Sequence, residues 1–136
     1  MFITRKECFS AAHKLYNTAW SDEKNLEVFG KCANPNWHGH NYELYVTVKG
    51  AINPETGFVI NLKELSKVIN TEICAKLDHK NLNLDVEFLK GTMTSTENVA
   101  IAIYNILAPK IDELGAKLHG IKLCETENNY VEYFGE

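Results

Sequence analysis

Apolar positions two residues apart run through Tyr42, Leu44, Val46 and Val48, and this period of two predicts a strand over about residues 38–50, ending at Gly50. A strand is also predicted over Phe2 to His13, where Ile3, Phe9, Ala11 and His13 share one parity although Arg5 and Glu7 interrupt it. Residues 14–37 are rich in Asn, Asp, Lys, Gly and Pro and have no clear period. They predict a long irregular connection, which inside a compact domain usually serves a function. Asn53-Pro54-Glu55-Thr56-Gly57 is turn chemistry. After it the period becomes helical. Asn61 caps a helix with Glu64 as its capping-box partner, and Leu62, Leu65, Ile69, Ile73 and Leu77 trace the apolar stripe until the helix ends near Asp78-His79. A second helix starts from Thr94 as cap, with Glu97 answering it, and buries Val99, Ala102, Ile103, Ile106 and Leu107. Pro109 is expected to interrupt that helix or to begin a short further turn. A third strand is predicted from His119 to Thr126, a turn at Asn128-Asn129, and a returning strand from Tyr130 to Phe134.

The order ββααββ predicts an α+β fold, with two helices laid on one face of a four-stranded antiparallel sheet. A sheet this small leaves two open edges, which favours closure by neighbouring subunits. The 136 residues suffice for one domain, spanning 1–136. Hydrophobic content of 45% and charged content of 24% are those of an ordinary soluble globular chain. The net charge of −4, with acids and bases interleaved, offers no basic stripe to nucleic acid. Cys8, Cys32, Cys74 and Cys124 are scattered and read as reduced thiols. No apolar leader or membrane-length run is evident, so a cytoplasmic protein without membrane contact is expected.

Chemistry gathers at Cys32-Ala-Asn-Pro-Asn-Trp-His-Gly-His40. His38 and His40 lie two apart on the parity that the second strand buries, so both imidazoles point to one spot. Partly desolvated imidazoles that close suggest a metal ion, and His13, inward at the end of the first strand, is the third ligand candidate. Three imidazoles with an open fourth position describe a catalytic zinc site. Two other readings stand beside it: histidines satisfied by hydrogen bonds, and Cys32 as a fourth ligand that closes a structural site. Asp78-His79 reads as polar residues at a helix end or, if it meets a cysteine, as a carboxylate–imidazole pair that raises the thiolate fraction. Glu125 ends an apolar parity; it is either a solvated strand-end acid or a partly buried carboxylate suited to a ligand with two adjacent N–H donors. Trp20 and Trp37 flank the candidate site and read as core covers or stacking surfaces. The other three cysteines read as structural, and His119 as a surface residue.

Beyond these residues the chain resembles the 6-pyruvoyl-tetrahydropterin synthase and 6-carboxy-tetrahydropterin synthase family over nearly its full length. The matching stretches are Phe9-Ser-Ala-Ala-His13, Gly30 to Tyr42, Leu77-Asp-His-Lys-Asn-Leu82, Ser95-Thr-Glu-Asn-Val99 and Glu125-Thr-Glu-Asn-Asn129. The resemblance implies the tunnelling fold, in which ββααββ units trimerise into a barrel and two trimers stack as a homohexamer. It implies Zn2+ on His13, His38 and His40, Cys32 as catalytic base tuned by Asp78 and His79, and Glu125 as anchor for the pterin edge, with Thr96 and Glu97 in the same substrate-binding segment set. The implied activity is a lyase reaction on a pterin triphosphate: 7,8-dihydroneopterin triphosphate loses triphosphate and becomes 6-pyruvoyl-tetrahydropterin, a step of tetrahydrobiopterin biosynthesis. The rival activity in the family releases acetaldehyde and gives 6-carboxy-tetrahydropterin, a deazapurine precursor. Five residues separate Cys32 from His38, which resembles the pyruvoyl branch; the carboxy branch typically has three. Trp37 departs from the small residue expected there. A non-catalytic pterin- or zinc-binding protein on the same fold is the reading from another class. Lys14, Lys31 and Lys80 are candidates for the triphosphate, unranked by sequence.

Overall fold

The first two strands form one long antiparallel ribbon, β1 (Phe2–His13) against β2 (His38–Lys49), in a register that sets His13 opposite His38 and Ala11 opposite His40. The computed structural model describes all residues, 1–136. Both strands bury the parity read from the sequence: Phe9, Ala11 and His13 on β1, and Tyr42, Leu44, Val46 and Val48 on β2. The interrupting Glu7 is kept on that inner face by hydrogen bonds from Ser66 Oγ and Arg5 Nε.

The long connection after β1 is more regular than expected. It contains helix α1 (Asp22–Phe29), capped by Ser21, and a 3-10 turn over Gly30–Ala33 that carries Cys32. Its order comes from Asn25, 1% exposed. That side chain accepts from the Asn17 amide and donates to the carbonyls of Asn17 and Ser21. Such local side-chain-to-backbone bonds organise a segment without any hydrophobic period.

The first amphipathic helix is split. Asn61 caps α2 (Leu62–Ile69), a π-helical turn follows over Asn70–Cys74, and α3 (Ala75–Leu77) finishes the segment. Leu65, Ile69, Ile73 and Leu77 succeed one another at four-residue steps, and each such step over-rotates an ideal α-helix by about 40°. The wider π turn absorbs the accumulated rotation, so all four stay fully buried. Leu62, at the start of the predicted stripe, is half-exposed.

Helix α4 (Thr96–Glu113) is capped by Ser95, whose hydroxyl accepts from the Asn98 amide, and not by Thr94. The Thr94 hydroxyl turns instead to Asn83 Oδ1. Pro109 does not interrupt the helix; it lies in the penultimate turn, where it removes one backbone bond close to an end that frays in any case. The last strands are β4 (Lys117–Cys124), which begins and ends two residues earlier than predicted, and β5 (Tyr130–Tyr133), which ends one residue earlier.

The four antiparallel strands expected are all present, and the helices pack on one face of the sheet they form. The expected count of four is corrected to five: β3 (Lys80–Asn81) adds a short parallel pairing beside β1, giving the order β3-β1-β2-β4-β5. Two residues carry no periodicity, so no pattern could announce β3. One apolar core lies between sheet and helices, joining Leu44, Val46, Ile121 and Leu123 to Leu65, Ile69, Ile103 and Leu107. The chemistry-bearing residues lie at one end of this core, where β1 stops and β2 begins.

Candidate metal and ligand site

His13, His38 and His40 converge where the sequence parity placed them, with one potential ligand nitrogen from each within 4.8 Å of the others. Register explains the meeting: the His13–His38 cross-strand pair and the i, i+2 pair on β2 share the inner face of one ribbon. The ring centroids of His13 and His38 are 4.6 Å apart, and those of His38 and His40 are 4.9 Å apart. Burial lowers the pKa of both His13 and His38, and neighbouring imidazoles push it the same way. The rings therefore favour the neutral form that binds metal.

Their nitrogens are unpaired. His13 Nε2, both nitrogens of His38 and His40 Nε2 are buried with no hydrogen-bond partner. Glu125 Oε1 lies 3.0 Å from His40 Nε2 but is not aligned as a hydrogen bond. Buried polar atoms are ordinarily satisfied, so orphan nitrogens on three converging rings point to a ligand that accepts one lone pair from each. A tetrahedral zinc ion with nitrogen at about 2.0–2.1 Å would set its ligand nitrogens about 3.4 Å apart, within the 4.8 Å bound on this cluster. The donor set fits the ion. No sulfur belongs to the cluster, so Cys32 is not a fourth ligand in this geometry.

One partner was not legible in the sequence. The Thr94 carbonyl accepts from His13 Nδ1 at 2.7 Å, which fixes the tautomer and leaves Nε2 for the metal. Thr94 read as a helix cap because its spacing to Glu97 fits that motif; a backbone carbonyl leaves no signature in sequence. Tyr42 forms the floor of the site, edge-on to His13 and His40, with a buried unpaired hydroxyl whose pKa is raised by burial and by Glu125.

Glu125, just beyond β4, accepts a hydrogen bond from the Thr96 hydroxyl through Oε2. Thr96 and Glu97 open α4, and together with Ser95, Asn129 and Tyr130 they join Glu125 around a cavity of about 240 Å³. Glu125, the expected anchor of a ligand edge, and Thr96 and Glu97, the other substrate-binding candidates, thus line one cavity. Cys32 is half-buried on its 3-10 turn, and its carbonyl accepts from the Leu15 amide, two residues past His13.

Asp78 and His79 form a pair but do not meet Cys32. Asp78 Oδ2 accepts from His79 Nδ1 at 2.8 Å, while Asp78 Oδ1 accepts from the Ser10 amide. The Ser10 amide is the main cause that holds the Asp78 carboxyl below its ordinary range, with His79 second. The backbone at His79 is left-handed, φ 58°, and its amide donates to the Ser10 carbonyl. The imidazole faces a cavity of about 540 Å³ shared with Ser10, Asn41, Lys80 and Asp85, which Gly39 and His40 also line.

Comparison with known proteins places this geometry among relatives. The sequence description of a family named 6-pyruvoyl tetrahydropterin synthase matches residues 2–136. A 6-pyruvoyl tetrahydrobiopterin synthase from Pongo abelii is 49% identical over 134 residues, covering 98% of this chain and 91% of the relative. A 6-carboxy-5,6,7,8-tetrahydropterin synthase from Bacillus subtilis is 30% identical over 112 residues, covering 79% of this chain and 73% of that protein. Among solved structures, 6-pyruvoyl tetrahydropterin synthase from Caenorhabditis elegans superimposes with a TM-score of 0.92 at 38% identity, covering 100% of this chain and 96% of that one.

Proposed function

The chain belongs to the 6-pyruvoyl tetrahydropterin synthase family, and on that premise we propose that it is a zinc-dependent lyase converting 7,8-dihydroneopterin triphosphate to 6-pyruvoyl-tetrahydropterin. The observation that carries the reading is the set of unpaired imidazole nitrogens on His13, His38 and His40 beside the Thr96–Glu125 pair. Metal and ligand anchor then lie side by side. The pyruvoyl product is preferred over the carboxy product because the 49% relative bears that name and the Cys32–His38 spacing resembles that branch.

In this reading His13, His38 and His40 hold a zinc ion, which supplies Lewis acidity to the side-chain hydroxyls of the substrate. Glu125 accepts two adjacent N–H donors of the pterin ring and so fixes its orientation; Thr96 and Glu97 border the same cavity. Cys32, as thiolate, removes a carbon-bound proton from the side chain. Triphosphate leaves with the electron pair of the broken C–O bond. Loss of triphosphate turns the terminal side-chain carbon into a methyl as the neighbouring carbinol becomes a ketone, and the remaining carbinol becomes a ketone as the dihydropterin ring becomes tetrahydro, so the redox change is internal and no external hydride donor enters. Cys32 is returned to its thiolate by passing its proton back to the product skeleton.

Asp78 and His79 tune Cys32 from a neighbouring chain, since within one chain neither is bonded to it. This calls for an oligomer, and a homohexamer built as two stacked trimers, each closing its sheets into a barrel, meets the need. Each subunit is a single domain over 1–136 in a cytoplasmic enzyme; no helix is long and apolar enough to cross a membrane.

Incubation of purified protein with 7,8-dihydroneopterin triphosphate, following triphosphate release and product mass, tests the reading. Release with a 6-pyruvoyl product supports it. Acetaldehyde would assign the carboxy reaction, and binding without release would make the protein a non-catalytic pterin binder.

A further inference from the structure

Beside the metal ligands the chain holds a cation against two aromatic rings. Lys14 follows His13, and Trp37 precedes His38, so the two residues extend the ends of the paired strands by one position. The Lys14 ammonium lies 4.5 Å from the centre of the Trp37 ring and 4.9 Å from that of Tyr16. Its backbone is clamped: the amide donates to Asn83 Oδ1, and the carbonyl accepts from Asn83 Nδ2 and the Thr94 hydroxyl. Thr94 is also the residue that orients His13. The root of the cation and the metal ligand therefore share one scaffold.

Trp37 reaches this position at φ 70°, left-handed backbone that a bulky residue seldom adopts. Strain of that kind persists where the surroundings over-determine it, and it concentrates at ligand clamps. Lys14 has no carboxylate partner, unlike Lys6, Lys76 and Lys117; Lys24 and Lys122 also rest on rings without an acid, but of these only Lys14 adjoins a candidate metal ligand in the chain. Aromatic faces hold an ammonium in place without neutralising its charge. A half-buried, immobilised and unneutralised cation is prepared for an anion.

We propose that Lys14, pinned by Trp37 and Tyr16, receives the triphosphate of the substrate, and that Trp37 is the positioning residue that determines how tightly. The inference rests on the pterin-triphosphate reading above and ranks the three lysines that sequence left equal. Lys31 is exposed with no aromatic ring over its ammonium, and Lys80 is exposed, has no ring over its ammonium either and shares its cavity with the carboxylate of Asp85. The order of groups also matches the ligand. Glu125 stands beside His40, the imidazoles follow, and Lys14 with Trp37 lies beyond His38, three strand residues or about 10 Å past His40. A flat donor edge, a hydroxylated side chain and a polyanionic tail follow one another in the same sequence along the substrate.

The test measures equilibrium binding of two fluorescent, fully oxidised pterins, neopterin triphosphate and neopterin, to the metal-loaded protein by anisotropy, with metal content recorded for every variant. Lys14→Met is expected to weaken neopterin triphosphate at least tenfold while neopterin changes less than twofold. Lys14→Arg should restore the triphosphate form to within threefold of wild type, which shows that the fold is intact. Trp37→Gly, which relieves the backbone and releases the ammonium, should weaken the triphosphate form about threefold and steepen its salt dependence. Equal losses for both pterins, or no loss for either, in Lys14→Met would overturn the assignment of Lys14; wild-type affinity in Trp37→Gly would overturn that of Trp37. Because these ligands bind without turnover, failure here is distinct from failure of the wild-type protein to release triphosphate from the dihydro substrate.

Discussion

At the scale of single residues, protonation decides whether the imidazole cluster works. His13 and His38 have pKa values depressed below the ordinary 6.5, first by burial and then by neighbouring rings. Below that value an unfolded chain takes up protons that the folded site resists. The stability these residues contribute is therefore complete above pH 6.5 and is lost as pH falls through their lowered folded values. Protons compete with a cation for the same lone pairs, so metal loss runs in the same direction. Dialysis at about pH 5 is expected to strip metal that is retained at about pH 7.5, read by elemental analysis. Cys32 stands outside the cluster, so Cys32→Ala should keep its metal and its pterin affinity while turnover falls by roughly 10²-fold or more, as for removal of a general base. Loss of metal from that variant would show the thiol to be a ligand.

At the scale of elements, the ribbon of β1 and β2 is the frame that aims the rings. Gly39 lies between the two ligands of β2, and a Cβ added there would stand 3.3 Å from the Ala11 carbonyl oxygen on β1. That backbone is held in the ladder and must shift by a few tenths of an ångström. Gly39→Ala is therefore expected to lower metal affinity on the order of tenfold, the size typical of disturbing what orients a ligand. Chelator competition would measure it, and unchanged affinity would show that the ribbon yields without turning the rings. The π turn of Asn70–Cys74 serves packing instead, because it rephases a helix whose apolar residues recur at every fourth position. Ile73→Ala within it removes a fully buried side chain and should cost about 2–5 kcal/mol in denaturant unfolding, with metal content unchanged because the site lies elsewhere.

At the scale of the whole molecule, Asp78-His79 and Cys32 belong to different surroundings of one chain, the dyad beside Ser10 and Asn41 and the thiol beside Leu15. If the dyad serves a neighbour's cysteine, two inactive proteins can complement each other. Co-expressed Cys32→Ala and His79→Ala chains are expected to form mixed oligomers with measurable turnover, each variant alone having almost none. No recovery in oligomers shown by native mass spectrometry to be mixed would place the catalytic groups within one subunit.

The sequence by itself determined the inner face of β1, β2 and β4, the two amphipathic helices and the identity of the metal-binding candidates. These follow from periods of 2 and 3.6 and from His-x-His spacing, all of them local properties of a chain. Thr94 as the acceptor that orients His13, the two-residue β3, the phase-correcting π turn and the aromatic cradle of Lys14 were decided only when distant segments packed together. A backbone carbonyl looks alike in every residue, and a two-residue pairing has no period. Where a lysine's ammonium comes to rest depends on rings brought to it from the far end of a loop.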